Sequence, residues 1–138
     1  RATKGEAKTR TLDGVAKNLP ALTRAVKLQK RAARVGFDWP QTTQVLDKIK
    51  EESAELVEAR DTLPHAKQVE EFGDLMFVMA NLARHLNIDP EEALRHTNRK
   101  FQRRFEYIED ALETQGKSPK QSNLAEMDAL WDQAKTAE

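Results

Sequence analysis

No cysteine occurs among the 138 residues of the chain, which excludes disulfides, thiolate metal sites and cysteine nucleophiles and is in keeping with a cytoplasmic protein. Glycine and proline number five each, too few for a strand-rich fold with many tight turns. Aromatic residues make up only 6% of the chain against 33% charged ones, a balance that suits a helical bundle better than a sheet protein. No apolar run approaches the length of a membrane span or a signal-peptide core. Net charge is also missing, since the formal value is zero, but it is unevenly spread. Residues 1–34 hold ten Lys and Arg against two acids (Glu6 and Asp13), and the rest of the chain holds 13 against 21. Such a basic segment beside an acidic body attracts nucleic acid or nucleotide phosphates. It is more often a solvated linker with one exposed helix face.

The length is that of one domain with a single core. Residues 1–17 lack apolar periodicity and the chain begins with Arg1. They are expected to be a linker or disordered segment ahead of a folded domain over 18–138. A first helix is expected from near Pro20 to Gly36, with Leu22, Ala25, Val26, Leu28 and Ala32 on its apolar face. An aromatic connector, Phe37-Asp38-Trp39-Pro40, separates it from a second helix over about 42–60, which Leu63-Pro64 breaks. The third, over about 65–85, carries apolar residues around well over a third of its circumference, so it is expected to be buried on more than one side. Asp89, Pro90 and Glu92 mark the start of a fourth helix that ends near Gly116. Asn123 and Glu126 mark a short fifth. No strand pattern, repeat or glycine-rich phosphate loop is present. The fold class is all-α, a bundle of four to five helices completed by dimerisation.

Two acidic clusters stand out, Glu51-Glu52-x-x-Glu55 and Glu71-x-x-Asp74, on consecutive helices. Residues three apart share a helix face, and these lie at the edge of the apolar stripes rather than opposite them. Four carboxylates gathered beside a core repel one another and lose hydration, and a divalent cation relieves both costs. An all-oxygen set of Glu52, Glu55, Glu71 and Asp74 selects a hard ion, Mg²⁺ or Mn²⁺, over Zn²⁺. The plainer reading is a set of surface acids paired with Lys48, Lys50 or Lys67. Gly73, inside the second cluster, serves either close helix packing or room for a metal or phosphate. On the fourth helix Lys100 and Arg104 are spaced to clamp phosphates or belong to a basic solvated face with Arg95, Arg99 and Arg103. Asn98 lies between Leu94 and Phe101 in the apolar stripe, and Trp131 is either core or a stacking platform for a base. None of His65, His85 and His96 is assigned a catalytic role.

Glu51-Glu52-Ser53-Ala54-Glu55 followed by Glu71-Phe72-Gly73-Asp74 resembles the signature of the all-α nucleoside triphosphate pyrophosphohydrolases. The closer resemblance is to the C-terminal domain of the MazG family. It extends over Leu28-Gln29-Lys30-Arg31-Ala32-Ala33-Arg34-Val35-Gly36-Phe37-Asp38-Trp39, Asn81-Leu82-Ala83-Arg84-His85-Leu86 and Asn98-x-Lys100-Phe101-x-Arg103-Arg104-Phe105, to the tail around Trp131. The resemblance implies Mg²⁺-dependent hydrolysis of a nucleoside triphosphate to the monophosphate and pyrophosphate. It implies that Glu52, Glu55, Glu71 and Asp74 hold the metal, with Glu52, or else Glu51, as general base. Lys100 and Arg104 then stabilise phosphoryl and leaving-group charge, helped by Lys48 and Lys67. Asn98 and Trp131 line the nucleotide pocket, with Lys30 a weaker candidate. A homodimer or dimer of dimers, and a preceding MazG domain in tandem, are further implications. The expected activity is broad nucleotide-pool housekeeping. Its alternatives are a narrow hydrolase of dUTP, dCTP or a noncanonical nucleotide, and a non-catalytic helical module binding partner or nucleic acid, the latter disfavoured.

Overall fold

The computed structural model describes residues 9–138. Among them are five α-helices and no strand, and none of these helices is long and apolar enough to cross a membrane. The helices are α1 (Ala21–Arg34), α2 (Thr42–Ala59), α3 (His65–His85), α4 (Pro90–Glu113) and α5 (Leu124–Ala137), with a 3-10 turn at Pro119–Gln121 that periodicity alone does not reveal. The chain divides into two compact units, one ending at Glu91 and the other running from Glu92 to Glu138.

In the first unit α3 packs against both α1 and α2. The first eight residues of the expected linker lie outside the described part. Residues 9–17 form no helix and are tied to α1. Arg31 donates to the carbonyl of Asp13 and Arg24 Nε to that of Ala16 at 3.2 Å, over a buried Val15. Helix α1 ends in a left-handed residue, Gly36 at φ +92°. The Gly36 and Phe37 amides turn back onto the carbonyls of Ala33 and Ala32, a closure that satisfies the last helical acceptors. Asn87, at φ +58°, closes α3 the same way, with Ile88 N donating to Ala83 O at 2.8 Å.

The α2–α3 hairpin is what positions the acids. Leu63-Pro64 interrupts the helical run, and Gln68 on α3 reaches back with its Nε2 to the carbonyls of Arg60 at 2.8 Å and Leu63 at 2.9 Å. The Arg60 carbonyl lies at the end of α2, where acceptors lack intrahelical donors. Because Glu55 and Glu71 are each eight residues from Leu63, an antiparallel return brings them opposite one another. Val15, Val45, Ala59, Val78 and Ala80 are the buried apolar residues of this unit. Within this unit α1 and α2 cover the broad apolar face of α3 only in part. Val69, Phe72, Met76 and Met79 remain exposed.

In the second unit Ile108 and Leu112 of α4 and Leu130 of α5 are buried together, flanked by Phe105, Ala111, Met127 and Trp131. Helix α5 starts as its sequence announces, with Asn123 Oδ1 accepting from the Glu126 amide at 2.9 Å. The Glu126 carboxylate instead turns to Ser122 Oγ at 2.5 Å and Lys117 Nζ at 2.9 Å.

Candidate active site

Glu52, Glu55 and Glu71 each offer a carboxylate oxygen within 4.8 Å of the others. Glu52 is the anchor of the group. It sits one turn after Lys48 and one before Leu56 and is only 7% exposed, so this carboxylate belongs to the packed side of α2 and not to its solvent face. Glu55 is exposed and Glu71 half-buried. Asp74, one turn further along α3, is exposed and falls outside this group of three.

The electrostatics follow from crowding. The Glu52 carboxylate, then loss of hydration, then Glu51 and Glu71 push the Glu55 carboxyl above the ordinary range, with Lys48 opposing. Lys48 Nζ lies 3.1 Å from both Glu51 and Glu52, and its pKa is raised by Glu52 first and Glu51 second. The plainer reading is therefore half realised. One lysine does pair with the cluster, but one cation against four carboxylates leaves an excess of negative charge. Lys67 pairs with Glu70 at 3.3 Å, beside the cluster and not in it. A Cβ placed on Gly73 meets nothing within 4 Å, so packing within the chain does not require the glycine and the space next to Glu71 and Asp74 is open.

Carboxylates from two helices, with no imidazole or thiolate among them, suit a hard cation that keeps water or phosphate in its remaining positions. Such an ion would compensate the like-charge repulsion that raises Glu55, and the residues present fit it.

The other expected residues fall elsewhere. Lys30 lines a smaller cavity of about 330 Å³ with Lys27, Thr23 and Asn87. In the second unit Asn98 is exposed and Lys100 half-buried on α4. Arg104 lies over the Trp131 ring at 5.2 Å from its centre, and Phe101 is tilted against the same indole at 5.4 Å. Trp131 thus combines the two readings, half-buried against the core and stacked on a cation. Arg104 is already occupied, since Glu138 accepts from its Nε at 3.0 Å and its Nη2 at 2.8 Å.

One polar cluster escaped the sequence. Asp38, in the aromatic connector, accepts from Arg84 at 2.5 Å and lies 2.9 Å from His85 Nε2, and Asn81 Oδ1 accepts from Arg84 Nε at 3.0 Å. His85 is 9% exposed along its side chain. The signal was the spacing of Asp74, Asn81 and Arg84 along one strip of α3, which only an approaching Asp38 turns into a network.

An all-helical chain with a carboxylate cluster across a helical hairpin defines a class of acidic, hard-cation sites. Residues 19–101 match the family model described as phosphoribosyl-ATP pyrophosphohydrolase, and the chain belongs to that family, within the MazG-like superfamily. It is 42% identical over 132 residues to the nucleoside triphosphate pyrophosphohydrolase/pyrophosphatase MazG of Thermotoga maritima, covering 96% of this chain and 51% of that protein. It is 45% identical over 129 residues to the nucleoside triphosphate pyrophosphohydrolase of Escherichia coli K12, covering 92% of this chain and 49% of that one. Uncharacterized protein YabN of Bacillus subtilis is 44% identical over 139 residues, covering all of this chain and 28% of its own length. The chain spans about half the length of the first two relatives.

Proposed function

We propose that this chain hydrolyses nucleoside triphosphates, ribo- and deoxyribo-, to the monophosphate and pyrophosphate, with Mg²⁺ as the preferred ion and Mn²⁺ as a substitute. The observation that carries the reading is the meeting of Glu52, Glu55 and Glu71 within 4.8 Å, with Glu52 buried and Glu55 under like-charge repulsion. The names of the relatives in Thermotoga maritima and Escherichia coli support it.

Glu52, Glu55 and Glu71 would hold the ion, with Asp74 as a fourth ligand. When bound, the ion neutralises phosphate charge and lowers the pKa of a coordinated water. The chain supplies the rest. A carboxylate oxygen of Glu52 accepts the proton of the attacking water, with Glu51 as the second candidate. Attack falls on the α-phosphorus, the bond to the bridging oxygen breaks, and pyrophosphate leaves. Lys48 sets the orientation of Glu51 and Glu52 through its two ion pairs. Lys100 and Arg104 receive the phosphoryl and pyrophosphate oxygens, and Arg104 exchanges Glu138 for phosphate when it does so. Lys67 and Lys30 contribute long-range positive charge, and Asn98 and Trp131 contact the nucleoside. The exposed α3 face supports a homodimer or dimer of dimers, and the half-length match supports a preceding MazG domain in a cytoplasmic protein. Broad nucleotide-pool housekeeping is the role this chemistry serves.

The test is turnover of a panel of ribo- and deoxynucleoside triphosphates with and without Mg²⁺, separating monophosphate plus pyrophosphate from diphosphate plus phosphate. Metal-dependent pyrophosphate release is expected, together with a loss of at least about a hundredfold in Glu52→Gln at unchanged helicity. Release of inorganic phosphate would place attack at the γ-phosphorus and overturn the reading.

A further inference from the structure

The carboxylate cluster leaves a cavity of the first unit without a role. That cavity measures about 690 Å³ and is walled by Leu28, Phe37, Trp39, Phe77 and Val78, a size and lining typical of small-molecule sites. The polar residues of its wall are Thr11, Gln29, Asp38, Asn81 and Arg84, of which Gln29 donates to the Phe77 carbonyl and Arg84 to Asp38. Asn81 is 6% exposed, and its carboxamide oxygen is committed to Arg84 Nε at 3.0 Å. A guanidinium nitrogen can only donate, so this contact settles which end of the carboxamide is oxygen. The NH₂ end has no hydrogen-bond partner among the described residues. A buried donor left unpaired costs about 1–3 kcal/mol. Reorientation does not relieve it, because Arg84 is itself held by Asp38 at 2.5 Å. The chain thus presents a fixed donor in an aromatic-lined cavity.

We propose that this cavity is a nucleobase pocket, in which the Asn81 NH₂ donates to an acceptor on the base edge while Phe37, Trp39 and Phe77 cover the ring. The identity of the ligand rests on the nucleotide reading above. Three observations favour a base over other occupants. An aliphatic chain or the apolar face of another helix would fill the volume but leave the Asn81 donor unpaired. A base brings both a flat apolar surface and an acceptor. Phe77 and Val78 stand three and four residues after Asp74, so they share its side of α3. The cavity therefore begins about 5 Å along α3 from Asp74 and about 9 Å from Glu71. Phosphates at the acids and a base in the cavity then lie in sequence along one helix. Every natural base carries a ring nitrogen or carbonyl acceptor for the Asn81 donor.

The experiment compares AMP, UMP and dCMP with ribose 5-phosphate, all with Mg²⁺, so that no turnover complicates binding. Calorimetry gives the affinities, and ¹H–¹⁵N spectra follow the Asn81 side-chain amide. Asn81→Leu is close in size and removes the donor without adding a charge, while Arg84 keeps Asp38. Phe37→Ala, at a residue 82% exposed, is a second variant that leaves folding intact. The expected result is an Asn81 amide shift with each monophosphate and none with ribose 5-phosphate. Both variants should weaken the monophosphates about tenfold and leave ribose 5-phosphate unchanged. Equal loss for both ligands, an unmoved Asn81 amide, or base-dependent shifts confined to Trp131 would overturn the proposal. Base-dependent binding in a protein that hydrolyses no triphosphate would retain the pocket and reject the reaction. Turnover with an unmoved Asn81 would do the opposite.

Discussion

Glu52 is a carboxylate kept out of water, whereas Asp38 is an exposed one engaged by two basic side chains. Glu52 was legible, because its position within the apolar stripe of α2 is a matter of helical period. Its neighbour Glu55 is held protonated to higher pH by the charges around it, which is the cost a bound cation removes. Asp38 was not legible, because Arg84 and His85 are 46 and 47 residues away in the chain. Partial burial pushes the Asp38 carboxyl up, but hydrogen bonds from Arg84 and then His85, with their charges, outweigh it and hold the group below its ordinary value. Asp38→Asn would leave the Arg84 guanidinium, 13% exposed, without its anion. It should destabilise the protein by about 1–3 kcal/mol in urea unfolding at neutral pH, with helix content otherwise retained. An unchanged midpoint would mean that the connector is not held by this pair.

At the level of elements, every helix expected from the sequence is present, with ends where the punctuation placed them. The left-handed Gly36 and Gly116 follow α1 and α4, and Pro64 and Asn123 precede α3 and α5. These signals are local, which is why a sequence carries them. The return of α5 onto α4 is different, since it is secured by Glu138 receiving Arg103 and Arg104. Hydrogen bonds from Arg104 first, then those from Arg103 and both charges, lower the Glu138 carboxyl from 4.5 to about 2 against partial desolvation. A carboxyl depressed on folding contributes stability above its unfolded value and loses it as pH falls toward the folded value. Thermal stability of the α4–α5 pair should therefore fall between about pH 4.5 and pH 2. Glu138→Gln should have the lower Tm at neutral pH and a smaller change over that window. Parallel curves for the two proteins would remove Glu138 from the account.

For the whole molecule, the exposed residues of α3 define what the single chain leaves unfinished. Val69, Phe72, Met76, Met79 and Leu86, all exposed, fall at alternating three- and four-residue steps with Ala83 completing the series, the period of a two-helix seam. That spacing favours a second α3 as the occupant. Sedimentation should give a dimer for the wild type and a monomer for Met76→Glu, placed in the middle of the seam. A monomeric wild type would assign the face to another partner. The all-helical class, the five helices and the membership of an acidic-cluster family were determined by sequence alone, because helical period, caps and short motifs are written within a few residues of one another. Tertiary structure alone decided that Glu52, Glu55 and Glu71 come within 4.8 Å while Asp74 falls outside that group, that Arg84 is spent on Asp38, and that the Asn81 NH₂ has no partner among the described residues. Those outcomes depend on which segments distant in sequence come within hydrogen-bond reach, and no local pattern records that.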